Sequence, residues 1–105
     1  MEKIRHQELK EKLQDDEIIL IDVLEEEKFE KSHIQGAINI PLDKIGTEAK
    51  KRFEKDDPIA VYCTDEDCTA SPTAGKKLED LGFENVYHFK GGKKEWRGAG
   101  LPMVE

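Results

Sequence analysis

Cys63 closes the apolar run Ile59-Ala60-Val61-Tyr62, and a polar loop, Thr64 to Ala70, separates it from Ser71-Pro72, which opens a helical stretch. A thiol placed where a strand hands over to a helix N-terminus meets free backbone N–H groups and the positive end of the helix macrodipole. Both favour thiolate over thiol, so the spacing suits a nucleophile. The bland alternative is a strand-end cysteine buried as a small hydrophobe. Cys68 admits three readings: a chance loop residue, a resolving thiol that attacks a persulfide or sulfenic acid at Cys63, or a second sulfur carrier. A loop wrapped around an anion turns its amides inward and its side chains outward. That opposes pairing of Cys68 with Cys63, so Cys68 is expected to be dispensable.

Other polar residues are less pointed. Asp22, at the end of a second apolar run, either lines the same pocket or holds the turn that follows. His33 sits in a turn where a ring N–H can fix a backbone carbonyl, and His6 and His88 also read as structural. Trp96 reads as core. Three scattered histidines and one close cysteine pair give no zinc pattern, so no metal is expected. A structural disulfide is poorly supported too, because closing so short a loop constrains little of the unfolded chain.

Alternating elements must position these residues. Leu9 and Leu13, four apart, put one apolar face on a helix from His6 to Leu13. Ile18-Ile19-Leu20-Ile21 within 17–23 predicts a strand buried on both faces. A short charged helix over 24–31 and a turn at Gln35-Gly36 lead to a strand over 37–40 that Pro41 ends. Residues 42–53 read as a helix interrupted by Gly46, and 58–63 as the next strand. Ser71 is placed as N-cap with Pro72 at the first helical position, and the helix runs to about Leu81 with Gly82 as its cap. A strand over 86–89, a break at Gly91-Gly92 and a short helix through Trp96, ending near Gly98, complete the chain. Such alternation implies an α/β fold with a parallel sheet and helices on both faces, and ligands at the carboxyl ends of strands. No linker or repeat interrupts 1–105, which reads as one domain.

Composition narrows the function. The chain has 105 residues, 39% charged and 36% hydrophobic, with a net charge of -7. The apolar residues cluster, which argues for a folded chain. The acidic balance without a Lys/Arg patch argues against nucleic acid. The longest apolar run is far too short to cross a membrane, and the N-terminus has no apolar leader-like core, so the expected location is cytoplasmic. Abundant Glu and Lys are also compatible with a thermophilic source.

Several segments resemble the rhodanese-like family. Ile21-Asp22-Val23, Phe29 and His33-Ile34-Gln35-Gly36-Ala37-Ile38-Asn39-Ile40-Pro41 are similar to its N-terminal signature. Val61-Tyr62-Cys63 resembles its catalytic strand end. Gly82-Phe83-Glu84-Asn85-Val86, Gly91-Gly92-Lys93-Lys94-Glu95-Trp96 and Gly100-Leu101-Pro102 resemble its C-terminal signature. The resemblance implies a sulfurtransferase without cofactor. The loop cysteine would take a sulfane sulfur from a small donor such as thiosulfate or from a protein persulfide. It would hold that sulfur as a persulfide and pass it to a thiol or protein acceptor. Cys63 would be the nucleophile, and the amides of Thr64, Asp65, Glu66, Asp67, Cys68 and Thr69 would surround the terminal sulfur. A non-catalytic sulfur-carrier or protein-binding module, or a dithiol redox protein using Cys63 and Cys68, are the alternatives. A phosphatase on a related scaffold would need an arginine six positions after the cysteine, where Thr69 stands.

The chain departs from the family pattern at Leu24, where arginine is common, and in a loop that counts about two residues longer. Between Lys55 and Lys76 there is no basic side chain, against five acidic ones: Asp56, Asp57, Asp65, Glu66 and Asp67. Carboxylates beside Cys63 would repel an anionic donor, which favours a neutral or protein-bound one.

Overall fold

The computed structural model describes all of residues 1–105. Its elements are β1 (Glu2–Lys3), α1 (His6–Gln14), β2 (Ile19–Asp22), α2 (Glu26–Lys31), β3 (His33–Ile34) and β4 (Ile38–Asn39), followed by a 3-10 turn (Leu42–Lys44). Then come α3 (Ile45–Arg52), β5 (Pro58–Tyr62), α4 (Ala70–Asp80), β6 (Asn85–His88), α5 (Gly92–Gly98) and β7 (Met103–Val104). Five strands form a sheet in the order β1-β6-β5-β2-β4, and every pair in it is parallel. The two strands expected at the centre are neighbours there, with Ile21 beside Val61 and Asp22 beside Tyr62.

Side chains of these strands alternate between two cores, which is why their sequences are continuously apolar. On one face Ile21, Val61, Cys63 and Val86 pack with Ile45 and Ala49 of α3 and with Ala74 and Leu78 of α4. On the other, Leu20, Ala60 and Tyr62 pack with Leu9 of α1 and Trp96 of α5. Helices therefore cover both faces, as the alternation implies.

Two local expectations need correction, and three short strands add to the expected elements. Gly46 lies inside α3, and the irregularity falls earlier, where the 3-10 turn passes into α3 at Ile45. Ser71 is not an N-cap: α4 begins at Ala70 after Thr69, and Ser71 is buried in its first turn. The side-chain cap is therefore absent, and the serine hydroxyl is directed into the protein instead. Finally, β1, β3 and β7 have two residues each and are held by remote partners. Glu2 pairs with Tyr87, and His33 pairs antiparallel with Val104. The carboxyl end of α4 follows the expected pattern. Gly82 takes φ +97°, with Gly82 N–H donating to Glu79 and Phe83 N–H to Leu78.

Candidate active site

Cys63 follows the last residue of β5, and residues 64–69 join it to α4. The strand end is clamped from α5. The Lys93 N–H donates to the Cys63 carbonyl at 3.0 Å and the Lys94 N–H to that of Thr64 at 3.0 Å. Gly92 makes this approach possible. Its φ is +58°, and a Cβ there would lie 2.3 Å from the Cys63 carbonyl oxygen. Gly92 thus aligns the start of α5 with the backbone that follows β5, beyond merely breaking the chain.

Within the loop, the Asp67 N–H donates to the Asp65 carboxylate at 3.0 Å, and the Cys68 N–H to the Asp65 carbonyl at 3.2 Å. This turn folds the loop back over the strand end. Cys68 is half-buried against the core that contains Cys63, and the two form a disulfide with Cα atoms 6.4 Å apart. The expectation that the loop side chains point away from Cys63 therefore fails at Cys68, because the turn at Asp65 reverses the chain before the cysteine. It also takes the Asp67 and Cys68 amides out of the expected ring of donors. The amides of Thr64, Asp65, Glu66 and Thr69 make no hydrogen bond within the chain.

Behind Cys63 lies a group that sequence reasoning did not assign to the site. The Ser71 hydroxyl is 3.2 Å from Cys63 Sγ and 2.8 Å from His88 Nε2. Ser71 is 1% exposed and His88 9% exposed. Burial, followed by the positive charges of Lys90 and Lys3, holds the His88 pKa below its ordinary value. A neutral imidazole with hydrogen on Nε2 donates to Ser71, whose own hydrogen then points to Cys63 Sγ. The chain of bonds can thus stabilise negative charge on that sulfur without a positively charged side chain. A weak signal for this is present in the sequence: the serine stands one position into the helix, and His88 has the same strand parity as Val86.

Asp22 belongs to the scaffold behind the strand ends. Its carboxylate accepts from the Leu24 N–H at 2.9 Å and from the Tyr62 hydroxyl at 2.8 Å, and Tyr62 oxygen accepts from the Ile34 N–H at 3.1 Å. Of the two roles open to it, holding the following turn is the one this geometry displays. Burial raises the Asp22 pKa against the Leu24 and Tyr62 hydrogen bonds and the nearby Lys93 charge, and burial likewise raises that of Tyr62. His33 Nδ1–H donates to the Phe29 carbonyl at 2.8 Å while its ring stacks on Phe29.

Charge around the site differs from what the loop alone suggests. Lys28 and Lys31 from α2, and Lys93, Lys94 and Arg97 from α5, line a hollow together with Thr64 and Asp65. Burial lowers the Lys93 pKa, with Asp22 opposing and Arg97 and Lys28 reinforcing. The fold thus brings five cationic side chains beside an acidic loop whose sequence neighbours include none. No helix is long and apolar enough to cross a membrane.

Comparison with known proteins fits this geometry. The rhodanese-like domain family model matches residues 5–99. The chain is 33% identical over 91 residues to thiosulfate sulfurtransferase GlpE of Actinobacillus succinogenes, covering 87% of this chain and 79% of that protein. It is 37% identical over 89 residues to the HTH-type transcriptional regulator Rv0324 of Mycobacterium tuberculosis, covering 85% of this chain and 38% of the regulator. It spans 38 to 60% of the length of several curated relatives. A thiosulfate sulfurtransferase from Pseudomonas aeruginosa has a TM-score of 0.91 and 31% identity, with all of this chain but 20% of that chain covered. The parallel sheet, the cysteine at the end of β5 and the match over residues 5–99 converge, and the chain belongs to the rhodanese-like domain family.

Proposed function

We propose that residues 1–105 act as one sulfurtransferase domain that moves sulfane sulfur through a persulfide on Cys63. The observation that carries this reading is the Cys63 sulfur at the carboxyl end of β5, hydrogen-bonded to Ser71 in the first turn of α4. Similarity to GlpE supports the reaction class. In the disulfide form Cys63 is 1% exposed and its sulfur is already bonded, so the cycle begins from the reduced pair.

The steps follow from nucleophilic sulfur chemistry. Ser71 donates to the Cys63 thiolate, with His88 holding the serine oxygen. The thiolate attacks the sulfane sulfur of the donor, and the donor's S–S bond breaks. For thiosulfate the leaving group is sulfite, which departs with the bonding electrons. The terminal persulfide sulfur carries negative charge, and the amides of Thr64, Asp65, Glu66 and Thr69, which have no partner within the chain, are the donors left to receive it. A thiol or protein thiolate then attacks that sulfur and regenerates Cys63. The hollow between α2 and α5 gives an anionic donor a cationic approach, offsetting the carboxylates of the loop. A protein persulfide is the other donor class that fits an open site of this kind.

Sulfite release from thiosulfate by the reduced chain tests the assignment. Wild type should release about one sulfite per chain in a single turnover, and Cys63→Ser none, because a hydroxyl is neither acidic nor soft enough to attack sulfane sulfur. Sulfite release by Cys63→Ser would refute it. The Cys63–Cys68 bond favours a second reading, a dithiol redox protein. In that case a sulfur donor would leave no sulfur on the chain of a Cys68→Ala variant.

A further inference from the structure

We infer that Cys68 is an internal acceptor for the Cys63 persulfide, so that the chain can release sulfide and finish as the Cys63–Cys68 disulfide. This rests on Cys63 being the persulfide-bearing residue, and goes beyond it by giving the second cysteine a chemical step. Three observations carry it. The loop turn at Asp65 carries Cys68 back to the strand end, with the Cys68 N–H on the Asp65 carbonyl at 3.2 Å. The Cα separation of 6.4 Å lies inside the span a disulfide bridges, and the two cysteines are bonded. Cys68 is half-buried against the same core that holds Cys63.

The direction of attack follows from the pairing. Cys68 reaches Cys63 Sγ, which is the inner sulfur of a persulfide. The Cys68 thiol gives up its proton and its sulfur attacks Cys63 Sγ. The bond from Cys63 Sγ to the terminal sulfur breaks, and that sulfur leaves with the electron pair and takes up the proton as hydrogen sulfide. The terminal sulfur is reduced, and the two cysteine sulfurs are oxidised to the disulfide. With thiosulfate the sum is reduced chain plus thiosulfate giving disulfide chain, sulfite and hydrogen sulfide. A dithiol reductant then restores the thiols and is itself oxidised to a disulfide. An external acceptor competes with this step, so the ratio of sulfide released to sulfur transferred depends on acceptor concentration. Attack on the terminal sulfur would instead make Cys68 a carrier. The bonded pair favours attack at the inner one.

The experiment uses the reduced full chain, anaerobic, with excess thiosulfate and, in a parallel arm, benzenethiosulfonate, whose sulfinate leaving group forms no disulfide with the chain, and no added thiol. Intact mass, sulfide and sulfite are read together. Wild type should lose two hydrogens while releasing about one sulfide per chain. Cys68→Ala and Cys68→Ser, shown folded by circular dichroism, should gain one sulfur and release less than about a tenth of that sulfide. Wild type that gains one sulfur and stays there, with the Cys68 variants behaving alike, would overturn the inference while leaving the Cys63 persulfide standing. A persulfide mapped to Cys68, or loss of two hydrogens without sulfide, would also overturn it. If no form takes up sulfur from either donor, the Cys63 reading fails and the inference falls with it.

Discussion

Ser71 shows how much one side chain can add to a cysteine site. Its hydroxyl joins Cys63 Sγ to His88 Nε2 in a buried chain of hydrogen bonds. Ser71→Ala should slow alkylation of reduced Cys63 by iodoacetamide about tenfold at neutral pH, the kinetic equivalent of one hydrogen bond to a charged group. An unchanged rate would mean that the hydroxyl does not support the thiolate. His88 has a separate signature in stability. Its folded pKa lies below the ordinary value of 6.5 because burial, then Lys90 and Lys3, disfavour the charged ring. The unfolded chain therefore takes up a proton first as pH falls. The stability from neutral His88 is complete above about 6.5 and is lost as pH falls below it toward the folded pKa. Urea midpoints of wild type should drop between pH 7.5 and pH 5 more steeply than those of His88→Gln, and parallel slopes would contradict this. Cys63 was legible in the sequence because strand, loop and helix signals all meet at it. The Ser71–His88 link was not, since it depends on Val61 pairing with His88 across two strands, and a single sequence does not carry register.

At the scale of elements, the site is held by the meeting of β5 with α5. Gly92→Ala would force a Cβ against the Cys63 carbonyl at a positive φ. It should lower unfolding stability by about 2 kcal/mol or more and slow sulfur uptake as the loop backbone shifts. Wild-type stability in that variant would show that the clamp yields easily. The disulfide behaves oppositely. It closes a loop only five residues along the chain, which the chain-entropy model values at about 2 kcal/mol, the low end for a cross-link. Reduction should therefore lower stability by about 2 kcal/mol or less and leave the far-ultraviolet circular dichroism intact. Unfolding on reduction would make the bond a structural staple. The long elements were legible because their apolar periodicity matches what they bury, as in β2 and β5 between two cores. The short strands β1, β3 and β7 were not, because two residues hold no period and their partners lie far along the chain. The Asp65 turn escaped notice for a related reason: an acidic tripeptide reads as solvated charge, whereas here the Asp65 carboxylate fastens the Asp67 amide.

The whole molecule carries a net charge of -7, yet α2 and α5 gather Lys28, Lys31, Lys93, Lys94 and Arg97 around one hollow beside the loop. A charge count along the loop misses them because they are supplied by elements distant in sequence, and local potential outweighs net charge at a site. Lys31→Glu with Lys94→Glu should reduce the thiosulfate reaction about tenfold at low ionic strength, with the gap closing in high salt. A rate that is insensitive to both the substitution and salt would show that donors enter elsewhere. The proposed reaction requires that sulfur be held on Cys63, and site-resolved mass spectrometry of one variant tests that most directly. Reduced Cys68→Ala, in which no internal thiol can discharge a persulfide, is exposed anaerobically to thiosulfate, capped with iodoacetamide and digested. The account predicts a peptide with one extra sulfur on Cys63 and none in Cys63→Ser; a Cys63 peptide that never gains sulfur, from a chain shown to be folded, would contradict it.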